Sequence, residues 1–152
     1  MRSFQLICLG KLRDPHLESV EADYLKRLNQ PPLTIHELRA SAENKLAEAE
    51  ALRKKIQELE KDNTVHRIAL TEWGKRYDSL AFAHWTSKLI EKPAKCTFII
   101  AGAEGFDADF LATCHDKLSL SELTFPHKLA RILLVEQLYR AQTLRTGHPY
   151  HN

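Results

Sequence analysis

The chain has 152 residues, of which 43% are hydrophobic and 28% charged, and its 22 Lys and Arg against 20 Asp and Glu give a formal net charge of +2 at pH 7. This length predicts one domain over residues 1–152, able to bury about two thirds of the surface of its unfolded chain. The sequence has no apolar run of roughly 20 residues, which excludes a membrane span. The early Lys11 argues against a secretory signal. The small net charge argues against a protein that binds naked duplex DNA through its phosphates.

The first half of the chain predicts strands that alternate with helices. An apolar run ends at Gly10, and Asp14 and Pro15 then supply a helix N-cap followed by a first-turn proline. After the break at Pro31-Pro32, alternating apolar and polar residues are typical of a half-exposed strand, and a Glu- and Lys-rich stretch follows with an apolar stripe at helical spacing. The predicted elements are a strand at 3–9, a helix at 15–28, a strand at 33–38, a helix at 41–61 and a strand at 65–71.

The second half continues the alternation. A loop at 72–76 precedes a helix opened by Ser79, and the most apolar strand of the chain stops at Gly102. Asp107 caps a short helix, and Pro126 precedes the last helix. The predicted elements are a helix at 79–90, a strand at 96–101, a short helix at 108–115, a strand at 118–120 and a C-terminal helix. Because strands alternate with helices, the sequence predicts an α/β fold with a mostly parallel sheet flanked by helices.

Three predicted loops leave the carboxyl ends of strands, after Leu70, after Ala101 and after Leu120. In open α/β sheets, ligands bind beyond these ends. The turn at 101–105 contains two glycines that allow close backbone approach to a ligand, but it matches neither a dinucleotide fingerprint nor a phosphate-binding loop, and Glu104 would repel phosphates. The three loops therefore predict a pocket, with a plain strand-to-helix turn as the alternative interpretation of the glycines.

The segment at 120–125 has extended character and is fixed at its end by Pro126. Backbone groups of such a segment can meet the edge of an adenine while its Leu and Phe side chains cover the faces of the ring. The alternative is an ordinary loop over the core.

The last helix and the tail carry unusual side chains. Glu136 is nearly alone among apolar residues, and the helix is more apolar than one sheet face requires, so the helix is either central or packed against a second copy in a homodimer. His148, Tyr150 and His151 follow Gly147 and are interpreted either as acid, base or hydrogen-bond groups or as exposed surface residues. Trp73 is interpreted as a core or interface anchor rather than as a surface for base stacking.

The cysteine and cationic side chains limit which metal sites, disulfides and partner contacts the sequence predicts. The three cysteines lack metal-ligand spacing, so we expect reduced thiols in a cytoplasmic protein with no metal site and no disulfide. The cations are clustered and indicate either solvated faces or contacts to a partner. These clusters are Lys11 with Arg13, Lys75 with Arg76, and Lys128, Arg131, Arg140 and Arg145 on the last helix.

Taken in order, the motifs AGAEGF, LSLSELTFPH, RILLVEQLYRA and GHPYH, after an ICLGKL start, resemble one family over the whole chain. The sequence is similar to the small SPOUT-class methyltransferases that modify 23S ribosomal RNA and, more narrowly, to the large subunit methyltransferase H family, which methylates N3 of a pseudouridine. The resemblance implies a C-terminal trefoil knot that binds S-adenosylmethionine and a homodimer whose active site is completed across the interface. The implied cofactor contacts are Leu70, Ala101, Gly102, Leu120, Ser121, Glu122, Leu123, Thr124 and Phe125.

One position departs from the family pattern, which commonly has two glycines where this chain has Ala101-Gly102. A methyl group at Ala101 is tolerated if its backbone is extended, but it would crowd the cofactor if a positive φ were needed.

The implied reaction requires the N3 imide nitrogen to lose a weakly acidic proton before it attacks the methyl carbon. The candidate catalytic residues are Arg140, Tyr150 and His151. Arg140 would stabilise negative charge on the uracil carbonyls, and His151 would accept the proton directly or through water. The modest net charge favours a folded ribosome over free RNA as substrate.

Three other functions are compatible with parts of this pattern. A non-catalytic nucleotide-binding regulatory dimer would bind the cofactor without transferring a methyl group. A SPOUT methyltransferase with a different RNA target would share the same pocket. A purely structural dimerisation domain would leave the glycine and proline loops and the His/Tyr tail without a purpose.

Overall fold

A computed structural model describes residues 3–41 and 44–151. In these ranges the chain forms a parallel five-stranded sheet in the order β2-β1-β4-β3-β5, with helices on both faces. The elements are β1 (Phe4–Leu9), α1 (Pro15–Arg27), β2 (Leu33–Leu38), α2 (Lys45–Leu59), β3 (Val65–Arg76), α3 (Ser79–Glu91), β4 (Lys95–Ile100), α4 (Ala108–Ala112), β5 (Asp116–Ser119) and α5 (His127–Thr146).

The predicted α/β class and parallel sheet are confirmed, but some predicted boundaries were wrong. The predicted loop at 72–76 belongs to β3, because Lys75 and Arg76 pair again with β5 after an irregularity. The last short strand lies at Asp116–Ser119 rather than at 118–120. Helix α2 begins at Lys45 rather than at residue 41, since the Asn44 side chain caps it by accepting from the Ala47 amide; residues 42 and 43 of the predicted helix lie outside the described residues.

Short polar side chains set the helix starts. Asp14, Asp78 and Asp107 each accept a hydrogen bond from a backbone amide in the first turn of the helix that follows. Such caps stabilise a helix by about 1 kcal/mol because they satisfy amides that have no partner within the helix. Helix α3 begins at Ser79, as predicted, and Asp78 is its cap.

The core has two apolar layers because the sheet is buried on both faces. In β1, Phe4, Leu6 and Cys8 pack with α3 and α5, whereas Ile7 and Leu9 pack with α2 and α4. This alternation follows the two-residue period of a strand. Burial on both faces is typical of parallel sheets and explains the continuous apolar run of β1.

Helix α5 packs against α1 and α3 and is anchored by a buried ion cluster. The Arg131 guanidinium donates to both carboxylate oxygens of Glu21 in α1, at 2.6 and 2.8 Å, and to Glu37 in β2 at 2.7 Å. The side chains of Arg131 and Glu21 are 7% and 8% exposed. Arg131 is therefore a structural residue, and its assignment to a surface cluster of cations was wrong.

The chain reverses direction after α5. Gly147 adopts a left-handed conformation with φ of 75°, and the amides of Gly147 and His148 both donate to the carbonyl of Thr143. A glycine takes this conformation without the steric penalty of a Cβ atom. The turn directs Tyr150 and His151 back along α5.

Candidate active site

A cavity of about 730 Å³ opens at the carboxyl edge of the sheet, where β3, β4 and β5 end. The three loops that the sequence analysis selected meet here. Eight of the nine expected cofactor positions line the cavity: Leu70, Ala101, Gly102, Leu120, Ser121, Leu123, Thr124 and Phe125. The ninth, Glu122, is exposed, and its carboxylate pairs with Arg76 at 2.8 Å, so its side chain is directed to the outer surface.

In the cavity wall at 101–105, the reason for a glycine at position 102 differs from the one that the sequence suggested. Among the described non-glycine residues only Arg13 has a positive φ, so the methyl group of Ala101 is accommodated without strain. Gly102 has no positive φ either, but a Cβ there would lie 2.8 Å from the buried carboxylate of Glu48. Gly102 therefore packs closely against the Glu48 side chain of α2, which an added Cβ would displace, whereas the left-handed residue of this turn is Gly105, with φ of 78°.

A bulge of β3 forms the opposite wall. Leu70 and Lys75 both face Leu118 in the register of β3 and β5, so residues 71–74 project from the sheet. Gly74 lies against the backbone of β5, because a Cβ would come within 2.6 Å of the Lys117 carbonyl carbon. Trp73, at the top of this bulge, is 66% exposed and lines the cavity. Of the two interpretations of Trp73, that of a core residue was wrong, and that of an interface anchor stays a prediction.

The loop at 120–125 is held by short-range hydrogen bonds. The Ser121 hydroxyl accepts from the amide of Leu123 at 3.0 Å. The buried Ser119 hydroxyl lies 2.9 Å from the carbonyl oxygens of both Glu72 and Ser121 and can donate to one of them at a time. This side chain therefore links the bulge of β3 to the loop at 120–125.

The chemistry of the walls suits a ligand with both apolar and polar parts. Leu70, Ile100 and Leu118 supply apolar surface. The hydroxyl of Thr71 is buried in the wall and has no hydrogen-bond partner in the described part of the chain. A ligand that offers a polar group here would satisfy this hydroxyl, so the residues fit a molecule such as S-adenosylmethionine, which combines a ring, a ribose and an amino acid.

The three expected catalytic residues meet at the other end of α5. Arg140 donates through Nε and Nη2 to Oε1 of Glu136, at 3.0 and 2.8 Å, and its Nη1 lies 2.9 Å from Nδ1 of His151. The guanidinium carbon also lies 4.9 Å from the centre of the Tyr150 ring. Glu136, Arg140, Tyr150 and His151 are called the tail cluster below.

The protonation of the tail cluster follows from its hydrogen bonds. A guanidinium only donates, so the contact with Arg140 occupies the lone pair of Nδ1 on His151. The Tyr150 hydroxyl donates to Glu136 at 3.1 Å and lies 3.3 Å from the hydroxyl of Tyr24. Burial, the Tyr24 hydrogen bond and the Glu136 charge raise the pKa of Tyr150, so Tyr150 acts as a donor near neutral pH.

The tail cluster and the cavity of the same chain are separate. Ala130 is the last residue of α5 that lines the cavity, and Arg140 follows it ten residues later, which corresponds to about 15 Å along the helix at about 1.5 Å per residue. The structure thus brings the expected cofactor residues together in one place and the expected catalytic residues together in another.

Two functional positions were missed by the sequence analysis. Glu136 was noted as a lone acid, but its role as the common acceptor for Arg140 and Tyr150 was not predicted, although acid and base four residues apart on a helix are a recognisable signal. The exposed position of Trp73 was also missed, because only the long-range pairing of β3 with β5 reveals the bulge.

Metal and membrane functions find no support in the described residues. No group of three or more His, Cys, Asp or Glu side chains in residues 3–41 and 44–151 could hold a metal ion. Among the helices described there, none is long and apolar enough to cross a membrane.

The sequence is similar to proteins of a known family. Residues 2–151 match a family model described as "Predicted SPOUT methyltransferase". A protein of Gluconacetobacter diazotrophicus named ribosomal RNA large subunit methyltransferase H is 39% identical over 97% of this chain and 95% of its own length. Proteins of the same name from a Synechococcus species and from Wolinella succinogenes are 42% and 40% identical, over 97% and 88% of this chain and 94% and 80% of their own lengths.

The fold is also found among solved structures. A probable methylase family protein from Haemophilus influenzae covers 99% of this chain, which spans 71% of that protein, with a TM-score of 0.58 and 12% identity. At this identity the likeness concerns the fold alone. Together with the match to the family model and the relatives near 40% identity, it leads to one conclusion: the chain belongs to the SPOUT methyltransferases, in the family of ribosomal RNA large subunit methyltransferase H.

Proposed function

We propose that this protein is a cytoplasmic homodimer that transfers a methyl group from S-adenosylmethionine to N3 of a pseudouridine in the 23S RNA of assembled ribosomes. The observation that carries the proposal is the division of the site. The residues expected to hold the cofactor line one cavity. The residues expected to activate the base belong to the tail cluster, in which Arg140 lies about 15 Å along α5 from Ala130, the last cavity-lining residue of that helix. This is the arrangement expected of a site that two subunits complete.

The cavity supplies the means to hold the methyl donor. When bound, S-adenosylmethionine provides an electrophilic methyl group on a sulfonium. Apolar side chains of Leu70, Leu120 and Leu123 would cover the adenine, and backbone groups of the loop at 120–125 would contact its edge. We also infer that this loop and α5 form the trefoil knot that the family resemblance implies.

The exposed face of α5 supports the homodimer. Leu129 and Leu133 are 44% and 39% exposed, although both are large apolar residues. With Glu136 and Arg140 they recur at spacings of three and four residues and therefore share one face of the helix. A two-fold contact of antiparallel α5 helices near Leu133 would place Arg140 of the partner subunit opposite His127, beside the cavity, because the two positions are about seven residues from the contact.

The tail cluster supplies the means to activate the nitrogen. A uracil carbonyl that accepts hydrogen bonds from Arg140 competes with His151 for the same N–H groups. Once Arg140 donates to the base, the Nδ1 lone pair of His151 is free to accept the N3 proton. Glu136 and Tyr150 would hold the guanidinium in place through the hydrogen bonds described above. Arg140 would stabilise the negative charge of the deprotonated base, which is the form that can accept a methyl group.

The test is methylation of ribosomes from a strain that lacks the native activity. Purified protein and isotopically labelled S-adenosylmethionine are added to 70S ribosomes and, separately, to deproteinised 23S RNA. We expect one labelled methyl group on a pseudouridine by mass spectrometry, and efficient transfer only with ribosomes. Cofactor binding without transfer would instead support a regulatory dimer, and label on another nucleotide would support a different RNA target.

A further inference from the structure

Trp73 is the exposed aromatic residue of the cavity mouth. The earlier part of β3 is buried, with Ile68 and Ala69 at 0% exposure, whereas Trp73 is 66% exposed five residues after Ile68. Removing such a large apolar surface from water is favourable, so a ligand at the mouth of the cavity would gain free energy by covering this indole.

The position of Trp73 is fixed by the structure around it. The bulge is held on one side by Gly74, which packs against the backbone of β5, and on the other by the Ser119 hydroxyl beside the carbonyl of Glu72. Both contacts act on residues adjacent to Trp73 in the sequence. The indole therefore projects from a supported strand bulge and does not depend on a long loop for its position.

The charges around the indole favour a base over a phosphate as its partner. Lys75 and Arg76 are exposed next to it, but Arg76 already pairs with Glu122. Glu72 is exposed beside the indole, and Glu104 lines the same cavity. Carboxylates among the cations weaken the attraction for phosphate groups, so the recognition here depends on the aromatic face. A nucleobase stacks on such a face whatever its sequence.

We propose that Trp73 is a stacking surface for an unpaired nucleobase of the substrate RNA at the mouth of the cavity. This inference rests on the proposed function. A base that enters the cavity must first leave its stack in the RNA, which costs a few kcal/mol. Stacking on Trp73 replaces contacts that the RNA loses at that step.

The first experiment measures kinetics on ribosomes. Trp73→Ala and Trp73→Leu should lower kcat/KM for ribosomes by about 5- to 150-fold, the range reported for the loss of one stacked base, whereas Trp73→Phe should lose less because it keeps an aromatic ring. The dissociation constant of S-adenosylhomocysteine, measured by calorimetry, should stay within about twofold. Ile90→Ala is the control, since Ile90 is an exposed apolar residue at the far end of α3, near the start of β4.

The second experiment reports stacking without methyl transfer. The chain has two tryptophans, so Trp85→Phe leaves Trp73 as the only one. A single-stranded oligouridylate should quench the fluorescence of this protein but not that of the Trp73→Phe protein, and an RNA duplex should not quench either. Acrylamide should quench the fluorescence of Trp73 in the protein without RNA, at protein concentrations at which the protein is a dimer. The same quenching is expected with S-adenosylhomocysteine bound.

Several results would overturn the inference. Unchanged kcat/KM of Trp73→Ala on ribosomes, or no quenching by the oligonucleotide, would remove the stacking role. Weaker binding of S-adenosylhomocysteine in Trp73→Ala would assign the indole to the cofactor, and protection from acrylamide in the protein alone would assign it to the partner subunit. If the oligonucleotide quenches Trp73 but no ribosome is methylated, the proposed function fails while the stacking surface stands.

Discussion

The two ends of α5 carry two sites that are built in different ways. At its first residues the cavity is shaped by strand ends, backbone segments and apolar side chains, with Gly102 and Gly74 at points where only a hydrogen atom fits. In its second half, α5 carries the tail cluster of charged and polar side chains, in which Glu136 accepts from Arg140 and Tyr150 while Arg140 contacts His151. The difference indicates that the cavity selects a ligand by shape, whereas the tail cluster acts on protons and charge.

The largest expected effect comes from the ion cluster, which anchors α5 and so supports both sites. Glu21→Ala leaves Arg131 buried with Glu37 as its remaining carboxylate. Removing one partner of a buried ion pair destabilises a protein by about 3–5 kcal/mol. We expect this decrease in the free energy of unfolding in urea, together with weaker cofactor binding and lower activity.

The matched control is Asp23→Ala, which removes an exposed acid two residues further along the same helix. It should change the free energy of unfolding by less than about 0.5 kcal/mol. An equal loss in the two variants would show that the ion cluster has no special role.

The second prediction separates the two sites. Arg140→Ala removes the group expected to stabilise negative charge on the base, and the loss of one such donor lowers kcat by about 10²- to 10³-fold. Because Arg140 is not one of the residues that line the cavity, S-adenosylhomocysteine should bind about as tightly as it does to the unmodified protein. Single-turnover methylation and calorimetry measure the two quantities.

Arg145→Gln is the control for this change. Arg145 lies one helical turn further and contacts Thr86 and the carbonyl of Gln30, outside the tail cluster. Its kcat should be retained within a fewfold. A comparable loss of kcat in Arg145→Gln would mean that the loss in Arg140→Ala is not specific to the tail cluster.

The third prediction tests whether the two sites meet across a dimer. Gly102→Val should distort the cavity wall and impair cofactor binding, since even one added carbon at Gly102 lies 2.8 Å from Glu48 and the wall must shift to accommodate it. Each variant alone should be inactive, but refolding a 1:1 mixture of Gly102→Val and Arg140→Ala chains should restore about a quarter of the activity, because half of the dimers then contain one intact site of two. No recovery in stable mixed dimers would show that each chain uses its own tail.

The smallest expected effect concerns the turn that directs the tail. Gly147→Ala places a Cβ at φ of 75°, which costs about 1 kcal/mol and loosens the approach of His151 to Arg140. We expect a small decrease in thermal stability and a decrease in kcat smaller than that of Arg140→Ala. Gly105→Ala, which is strained in the same way at φ of 78° but lies at the cavity, should instead affect cofactor binding.

Local patterns were sufficient to predict much of the fold. The alternation at 33–38 predicted β2 with its bounds, and the ends of three apolar runs predicted which loops line the cavity. These features depend on the period of a strand and on the parallel alternation of strands and helices, both of which are visible over a few residues.

Such local patterns could not predict the contacts between residues that are distant in the sequence. Arg131 meets Glu21 across 110 positions of the sequence, and Tyr150 meets Tyr24 across 126. The bulge at 71–74 exists because Leu118 of a later strand faces two residues of β3. A side chain's burial in these places is set by its partner, so a sequence without its fold assigns Arg131 to the surface and Trp73 to the core.

The Ser119 hydroxyl gives the cavity a property that no rigid wall would have. It carries a single hydrogen atom, and two carbonyl oxygens stand at equal distance from it. The hydroxyl therefore leaves one of these two carbonyls, of Glu72 or of Ser121, without its hydrogen atom. A ligand amino group that donates to one carbonyl would favour the rotamer in which the hydroxyl donates to the other, so the rotation of one O–H bond would couple the bulge to the loop at 120–125.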